Sequence, residues 1–307
     1  ERRSAAAARG ETFKYDKHCL NLSREQIGQY LSEGRPYVIR QNVPTEGQTS
    51  FDDMIFGHIT VDNAELDDNV LIKADGLPTY NFANVVDDHL MEISHVMRGM
   101  EYLSSTPKYN LLYQSFGWDI PLYIHMPPIM KDAQHKLSKR NGDASFGDLI
   151  EKGYLKDAII NYIALLGWNP GTTQEKFSLP ELISAFSIEG MSKSPAIFDP
   201  AKLVWLNAEY VRALSPDEFR AHALPWYEKA GVASWKLNIL DRILQPRVEY
   251  FSQIPDMLRF LVEQPSYSLD LYTNKKSKVN PDISRQIIGE ALPILEALPD
   301  WEEETLH

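Results

Sequence analysis

Leu122-Tyr123-Ile124-His125-Met126, stopped by Pro127-Pro128 and followed by Lys136-Leu137-Ser138-Lys139-Arg140-Asn141-Gly142-Asp143, is the stretch whose reading decides the fold. A short apolar strand runs directly into a basic, glycine-containing loop at the edge of a sheet. Upstream, Asn69-Val70-Leu71-Ile72-Lys73 is a second short apolar run, ended by Asp75-Gly76, which is a strand-then-turn signal. Between the two, residues 79–117 carry helical spacing interrupted at Ser104-Ser105-Thr106-Pro107, where Ser or Thr before Pro marks a fresh helix start. Strand, helices, strand, loop and helix is the rhythm of a parallel α/β sheet.

Working outward, residues 1–68 read as a mixed segment. Ser23 with Gln26 makes a capping box that opens a helix stopping near Gly34, and Tyr37-Val38-Ile39-Arg40 reads as a strand closed by Pro44. After residue 145 the strand signals disappear. Leu155, Ala158, Ile159, Tyr162, Ile163 and Leu166 fall on one face of a helix that Gly167 is placed to cap. The rest is mostly helical, punctuated by Pro170, Pro180, Pro200, Pro225 and Pro281. The fold class is therefore α/β followed by all-α.

The chain of 307 residues is long enough for about two domains with buried cores, and 43% apolar with 24% charged residues is an ordinary globular balance. No apolar run approaches the ~20 residues that span a bilayer, and Glu1-Arg2-Arg3 followed by alanines offers no h-region of a signal peptide. A start at Glu rather than Met is expected of a piece cut from something longer. The single cysteine, Cys19, excludes an internal disulfide and points to a reducing cytoplasm. A net charge of −12 argues against phosphate-backbone binding by the chain as a whole, although a local basic face is enough to dock RNA.

Lys136, Lys139 and Arg140 with the Ser138 hydroxyl on one loop suit a triphosphate, because lysines there act as mobile point charges against negative charge that develops as pyrophosphate leaves. The same short pattern also describes a solvated basic loop. Asp87, Asp88 and His89, with His95 nearby, could suggest a metal site, but a spacing of six lacks the i, i+4 pairing of helical zinc sites, so no metal is expected. Cys19 beside His18 reads as a buried or bystander thiol rather than the remnant of a zinc site. Met191-Ser192-Lys193-Ser194 resembles the basic-loop pattern but follows Gly190 among helices, and reads as a turn before Pro195. Lys275-Lys276-Ser277-Lys278 is either an RNA-backbone contact or a solvated loop.

Lys136 to Arg140 resembles the KMSKS-type signature of class I aminoacyl-tRNA synthetases, in the form KLSKR. Residues 75–89, DGLPTYNFANVVDDH, resemble the DGxPTYxxANVVDDH segment of bacterial-type glutamyl-tRNA synthetases. Residues 95–107, HVMRGMEYLSSTP, resemble that family's HVIRGEEHLSSTP segment, and residues 202–212, KLVWLNAEYVR, resemble its KLxWxNxxYIR helix. The similarity runs from about residue 15 to at least 265. It implies ATP-dependent attachment of L-glutamate to tRNA-Glu through a glutamyl adenylate, with ATP and Mg2+ as cofactors.

Carried over residue by residue, the resemblance puts Tyr80 and Asn84 in the amino-acid pocket and has Arg98 grip the glutamate side-chain carboxylate with its planar fork. Glu101 and Tyr102 fall where the family approaches adenine and ribose. Lys136 and Lys139 take the catalytic role at the triphosphate, with Ser138 and Arg140 beside them. The fold implied is the second half of a class I Rossmann-type nucleotide-binding domain followed by helical stem-contact and anticodon-binding regions. The expected division is 1–68, the end of an inserted acceptor-binding domain; 69–150, the catalytic half; 151–215, a stem-contact domain; and 216–307, an incomplete anticodon-binding region. Nothing matches the family's HIGH signature, so the chain alone is expected to be inactive, a fragment lacking the amino-terminal part. Alternatives are a glutaminyl-tRNA synthetase or a non-catalytic tRNA-binding fragment. A cytoplasmic monomer is expected.

Overall fold

The Ser23 side chain accepts from the Gln26 amide and the Gln26 side chain accepts from the Ser23 amide, and the helix they open, α1, runs Arg24–Ser32. Gly34 follows at φ 68°, a left-handed conformation that a side chain resists. The computed structural model describes residues 14–137, 145–232, 237–264 and 266–299. Contacts divide the chain into two compact units, Glu1–Tyr210 and Val211–His307.

In the first unit, β1 (Ile39–Arg40), β2 (Gln48–Asp53), β3 (Gly57–Asp62) and β4 (Val70–Ile72) lead to α2 (Tyr80–Leu90), β5 (His95–Gly99), α3 (Thr106–Phe116) and β6 (Leu122–Met126). The central sheet has the order β3-β2-β6-β5. Its hairpin partner β3 runs antiparallel to β2, whereas β2, β6 and β5 are mutually parallel. The hairpin β2–β3, which precedes residue 69, shares this sheet with β5 and β6.

Two sequence expectations change here. Residues 69–73 do form a strand, but β4 does not join β6. It pairs antiparallel with β1, Ile39 opposite Ile72. Its other edge is taken by the turn at Asp75-Gly76, which folds the chain back so that Thr79 N–H reaches Leu71 O at 2.8 Å and Lys73 N–H reaches Leu77 O at 2.9 Å. With both edges satisfied, β4 has none left for the sheet. β6 pairs in parallel with β2 and with β5, and β5 lies inside the stretch read as helical. α2 ends at Leu90, Glu92 adopts φ 56°, and that left-handed step releases the chain into β5.

α2 and α3 pack on each other through Val85, Tyr109, Leu112 and Tyr113, with Leu71, Phe82 and Trp118 against them. β7 (Ile129–Met130) begins a tight hairpin in which Leu137 N–H returns to Ile129 O at 3.0 Å. Beyond it lie α4 (Phe146–Glu151), α5 (Lys156–Gly167), α6 (Leu179–Ala185), β8 (Ala196–Ile197) and α7 (Pro200–Ala213). The two-residue strand β8 pairs parallel with β7, so extended structure persists after residue 145. Ala158, Ile159 and Tyr162 of α5 are buried, the last two against Leu203 and Leu206 of α7, but Ile163 is exposed. Gly167 stays helical and Trp168 in extended conformation ends α5. The loop 191–194 is a bend in which Ser194 N–H reaches the Ser192 hydroxyl at 3.1 Å.

The second unit holds α8 (Pro216–Lys229), α9 (Leu237–Leu244), α10 (Ile254–Leu258) and α11 (Pro281–Glu296). Ser215 and Glu218 form another capping box, and Pro225 sits inside α8. Phe219, Ala223 and Tyr227 of α8 are buried, as are Phe251, Ile254 and Leu258. Tyr227 donates to Asp241 Oδ1 at 2.8 Å, and Arg220 Nε reaches Asp241 Oδ2 at 2.5 Å. Among the described residues no helix is long and apolar enough to cross a membrane.

Candidate active site

Asp53, His125 and Arg98 stand near the carboxyl ends of β2, β6 and β5, the three parallel strands. That is the end of an open α/β sheet where ligands bind. Arg98 and His125 are direct cross-strand partners, so their side chains share a face. Arg98 Nε donates to His125 Nε2 at 3.2 Å and Nη2 donates to Thr106 Oγ1 at 2.7 Å. The Thr106 hydroxyl in turn donates to Tyr102 O at 3.0 Å. Three tyrosine rings surround the guanidinium, those of Tyr102 at 5.1 Å, Tyr109 at 4.8 Å and Tyr123 at 5.5 Å, a geometry in which ring faces stabilise the cation.

Of the predicted pocket residues, Tyr80 begins α2, its ring 5.7 Å from that of Tyr102, and is 56% exposed. Asn84, one turn on, has a buried Oδ1 with no hydrogen-bond partner in the protein. Asp88, a further turn along α2, is held above the usual carboxylate range by burial, with Arg98 pulling the other way. Tyr80, Arg98 and Tyr102 are thus brought together by the start of α2, the end of β5 and the turn Met100–Tyr102, with Asn84 one turn along α2.

Glu101 is exposed and folds its carboxylate over Gly99, where a Cβ would collide with it. Lys136 is exposed and bridges back to Met130 in the β7 hairpin. Ser138, Lys139 and Arg140 lie outside the described residues. His89 and His95 occupy different elements; the His89 ring stacks on Trp118 at 3.8 Å, and His95 Nδ1 lies 3.0 Å from the Ser94 hydroxyl. Cys19 is exposed.

Asp53, Thr106 and His125 were not singled out by sequence reading. The available signal was a histidine inside an apolar strand, Ile124-His125-Met126, since a buried polar side chain demands partners. His125 is completely buried, and burial holds its pKa below the ordinary histidine value, with the Asp53 hydrogen bond acting in the other direction.

The catalytic-domain family described as tRNA synthetases class I (E and Q) matches residues 1–205, and an anticodon-binding domain matches residues 218–307. A glutamate–tRNA ligase of Clostridium botulinum (strain Eklund 17B / Type B) is 59% identical over 304 residues, covering 98% of this chain and 63% of the relative. A glutamate–tRNA ligase of Clostridium novyi (strain NT) is 56% identical over 311 residues, covering 100% of this chain and 64% of the relative. The crystal structure of a glutamate tRNA ligase from Elizabethkingia meningosepticum CCUG26117, in complex with its amino acid, superposes with a TM-score of 0.81 at 30% identity, over 97% of this chain and 64% of that one. The chain therefore spans a little under two thirds of the length of these relatives. With a catalytic-domain match over most of its length, a mixed sheet that gathers Arg98 and its tyrosines at the strand ends, and a helical anticodon-binding match behind it, the chain belongs to the class I tRNA synthetases (E and Q).

Proposed function

We propose that this chain supplies the amino-acid pocket and part of the ATP site of a glutamate–tRNA ligase, which joins L-glutamate to tRNA-Glu through glutamyl adenylate. The observation that carries this reading is the Arg98 guanidinium, anchored through Nε and Nη2 and boxed by three tyrosines. Anchored there, it leaves its Nη1/Nη2 end for a ligand, beside the Tyr80 hydroxyl that also acts on Arg98. A fixed cation with an open planar fork favours a carboxylate over a carboxamide, hence glutamate over glutamine. Asn84 Oδ1 provides an acceptor one helical turn from Tyr80 and suits the substrate ammonium.

The chemistry is mainly positioning. An oxygen of the glutamate α-carboxylate attacks the α-phosphorus of ATP, that P–O bond forms, and the bond to pyrophosphate breaks. A terminal ribose hydroxyl of the tRNA then takes the glutamyl group and AMP leaves. Lys136 and Lys139, with Ser138 and Arg140, neutralise the departing pyrophosphate. Glu101 and Tyr102 face the adenine and ribose. Magnesium would be held mainly by the nucleotide's own phosphates, the usual mode for this ion. We assign residues 1–68, 69–150, 151–215 and 216–307 to acceptor-end, catalytic, stem-contact and anticodon roles, in a cytoplasmic monomer.

The test is glutamate-dependent ATP–pyrophosphate exchange with tRNA-Glu present, in a ligase of the relatives' length that carries these residues. Arg98→Ala and Lys139→Ala should each lose roughly 10²-fold or more. Near-normal exchange in both would refute the site.

A further inference from the structure

We propose that Asp53 and His125 are positioning residues that aim Arg98, a relay running from a buried carboxylate and imidazole to a half-buried guanidinium across the ends of three parallel strands. The proposal rests on the reading of Arg98 as the carboxylate-binding group.

Each oxygen of Asp53 is occupied twice. Oδ1 accepts from the amides of Ile55 at 2.9 Å and Phe56 at 2.8 Å. Oδ2 accepts from the His125 amide at 3.0 Å and lies 2.7 Å from His125 Nδ1. Both side chains are wholly buried. A carboxylate filled by donors fixes the proton of a neutral imidazole on Nδ1, because only that tautomer donates to it. Nε2 then carries a lone pair, and the donor facing it is Arg98 Nε.

The second contact completes the constraint. Thr106 spends its own proton on Tyr102 O, so its oxygen accepts from Arg98 Nη2. With Nε and one Nη2 hydrogen taken, the guanidinium can meet a carboxylate only through its Nη1/Nη2 end. A side-on approach through Nε is closed. Holding one edge of the fork leaves the other in a single orientation, which is how supporting groups raise the precision of a binding residue. A protonated or inverted imidazole would set N–H against N–H and push Arg98 off this line. The charged and polar groups facing His125 are Asp53, Arg98, Thr106 and the Tyr123 ring, with Glu101 acting at longer range. Burial of the ring favours its neutral form.

A purely structural staple between β2 and β6 would need only the Asp53–His125 half. Two substitutions separate the halves. In His125→Asn the short amide can donate to Asp53 but falls short of Arg98. In His125→Gln the longer amide presents an oxygen where Nε2 stands. The experiment is nitrogen-15 NMR on the labelled chain, reading the His125 tautomer and the Arg98 Nε–H signal.

The expected result is an Nδ1–H imidazole at neutral pH and a slowly exchanging Arg98 Nε–H, kept in His125→Gln and lost in His125→Asn. An Nε2–H tautomer, or an Arg98 signal indifferent to both substitutions, overturns the proposal. The tautomer decides it even where a variant fails to fold. In a ligase of the relatives' length, His125→Asn should raise the glutamate KM roughly ten- to hundredfold with the ATP KM unmoved, and His125→Gln should restore it. An unmoved glutamate KM in His125→Asn, alongside a normal defect in Arg98→Ala, overturns the relay. An unmoved KM in both instead counts against the carboxylate-binding site beneath it.

Discussion

Replacing Arg98 by Lys keeps the charge and removes the fork, and so isolates what geometry contributes to glutamate recognition. Arg98 spends Nε on His125 and one Nη2 hydrogen on Thr106, and offers two parallel N–H groups to a ligand. A lysine ammonium placed among the Tyr102, Tyr109 and Tyr123 rings is a point charge on a flexible stem and cannot hold both anchors while pairing twice with a carboxylate. Losing one charge-assisted hydrogen bond is worth about 1.5–3 kcal/mol. At about 1.4 kcal/mol per decade, the glutamate KM should rise roughly ten- to hundredfold. The fold should tolerate the change, because the Thr106 hydroxyl lies 3.2 Å from His125 Nε2 and can turn its proton there. The assay is the glutamate dependence of pyrophosphate exchange, with the ATP KM as internal control and Arg98→Ala as the larger lesion. A glutamate KM unchanged in Arg98→Lys would refute the argument that the planar fork does the recognising. Parallel increases for glutamate and ATP would refute the assignment of Arg98 to the amino-acid pocket.

Stability should fall on acidification. The folded pKa of His125 is depressed by burial, so between about 6.5 and that lower value the unfolded chain binds the extra proton, and the stabilisation present above 6.5 is lost as pH drops. Denaturation midpoints between neutral pH and pH 5 check this, and His125→Asn should flatten the dependence; a midpoint rising on acidification would contradict it. In the second unit, Tyr227→Phe removes the hydroxyl that satisfies the buried Asp241 Oδ1, at a cost of about 1–3 kcal/mol. Hydrogen exchange of the α8 amides should speed up roughly five- to a hundredfold, and unchanged protection would show that Arg220 alone satisfies Asp241.

Signals that act within a few residues were legible in the sequence. The Ser23–Gln26 box is a bond between positions three apart, and the chain opens a helix where those residues say it should. The buried face of α5 follows from a period of 3.6, except at Ile163, which lies at the margin of that face and is left exposed. The family segments carry Tyr80, Asn84, Arg98 and Tyr102, and the fold puts Tyr80 and Arg98 against the Tyr102 ring. β5 was not legible, because Val96 and Met97 also fit a helical spacing continuous with α2. Its strand identity comes from β6, beyond the next helix, and from the left-handed Glu92 that breaks the period. β4 was read as a strand but assigned the wrong neighbour, since the turn that blocks its free edge competes with the sheet for the same carbonyls.

The groups that hold Arg98 illustrate the physical limit. His125 is 27 residues away and Asp53 is 72 residues from His125, so no local window contains the relay. Each member also looks ordinary alone: Asp53 ends a hairpin strand and His125 sits among apolar neighbours. The demand arises only when parallel pairing brings the ends of β2, β6 and β5 side by side and removes water from Asp53 and His125. A buried imidazole must then find an acceptor for one nitrogen and a donor for the other. Asp53 can only accept and Arg98 can only donate, so the order of the three residues across the sheet determines the tautomer, and the tautomer determines which edge of the guanidinium stays open.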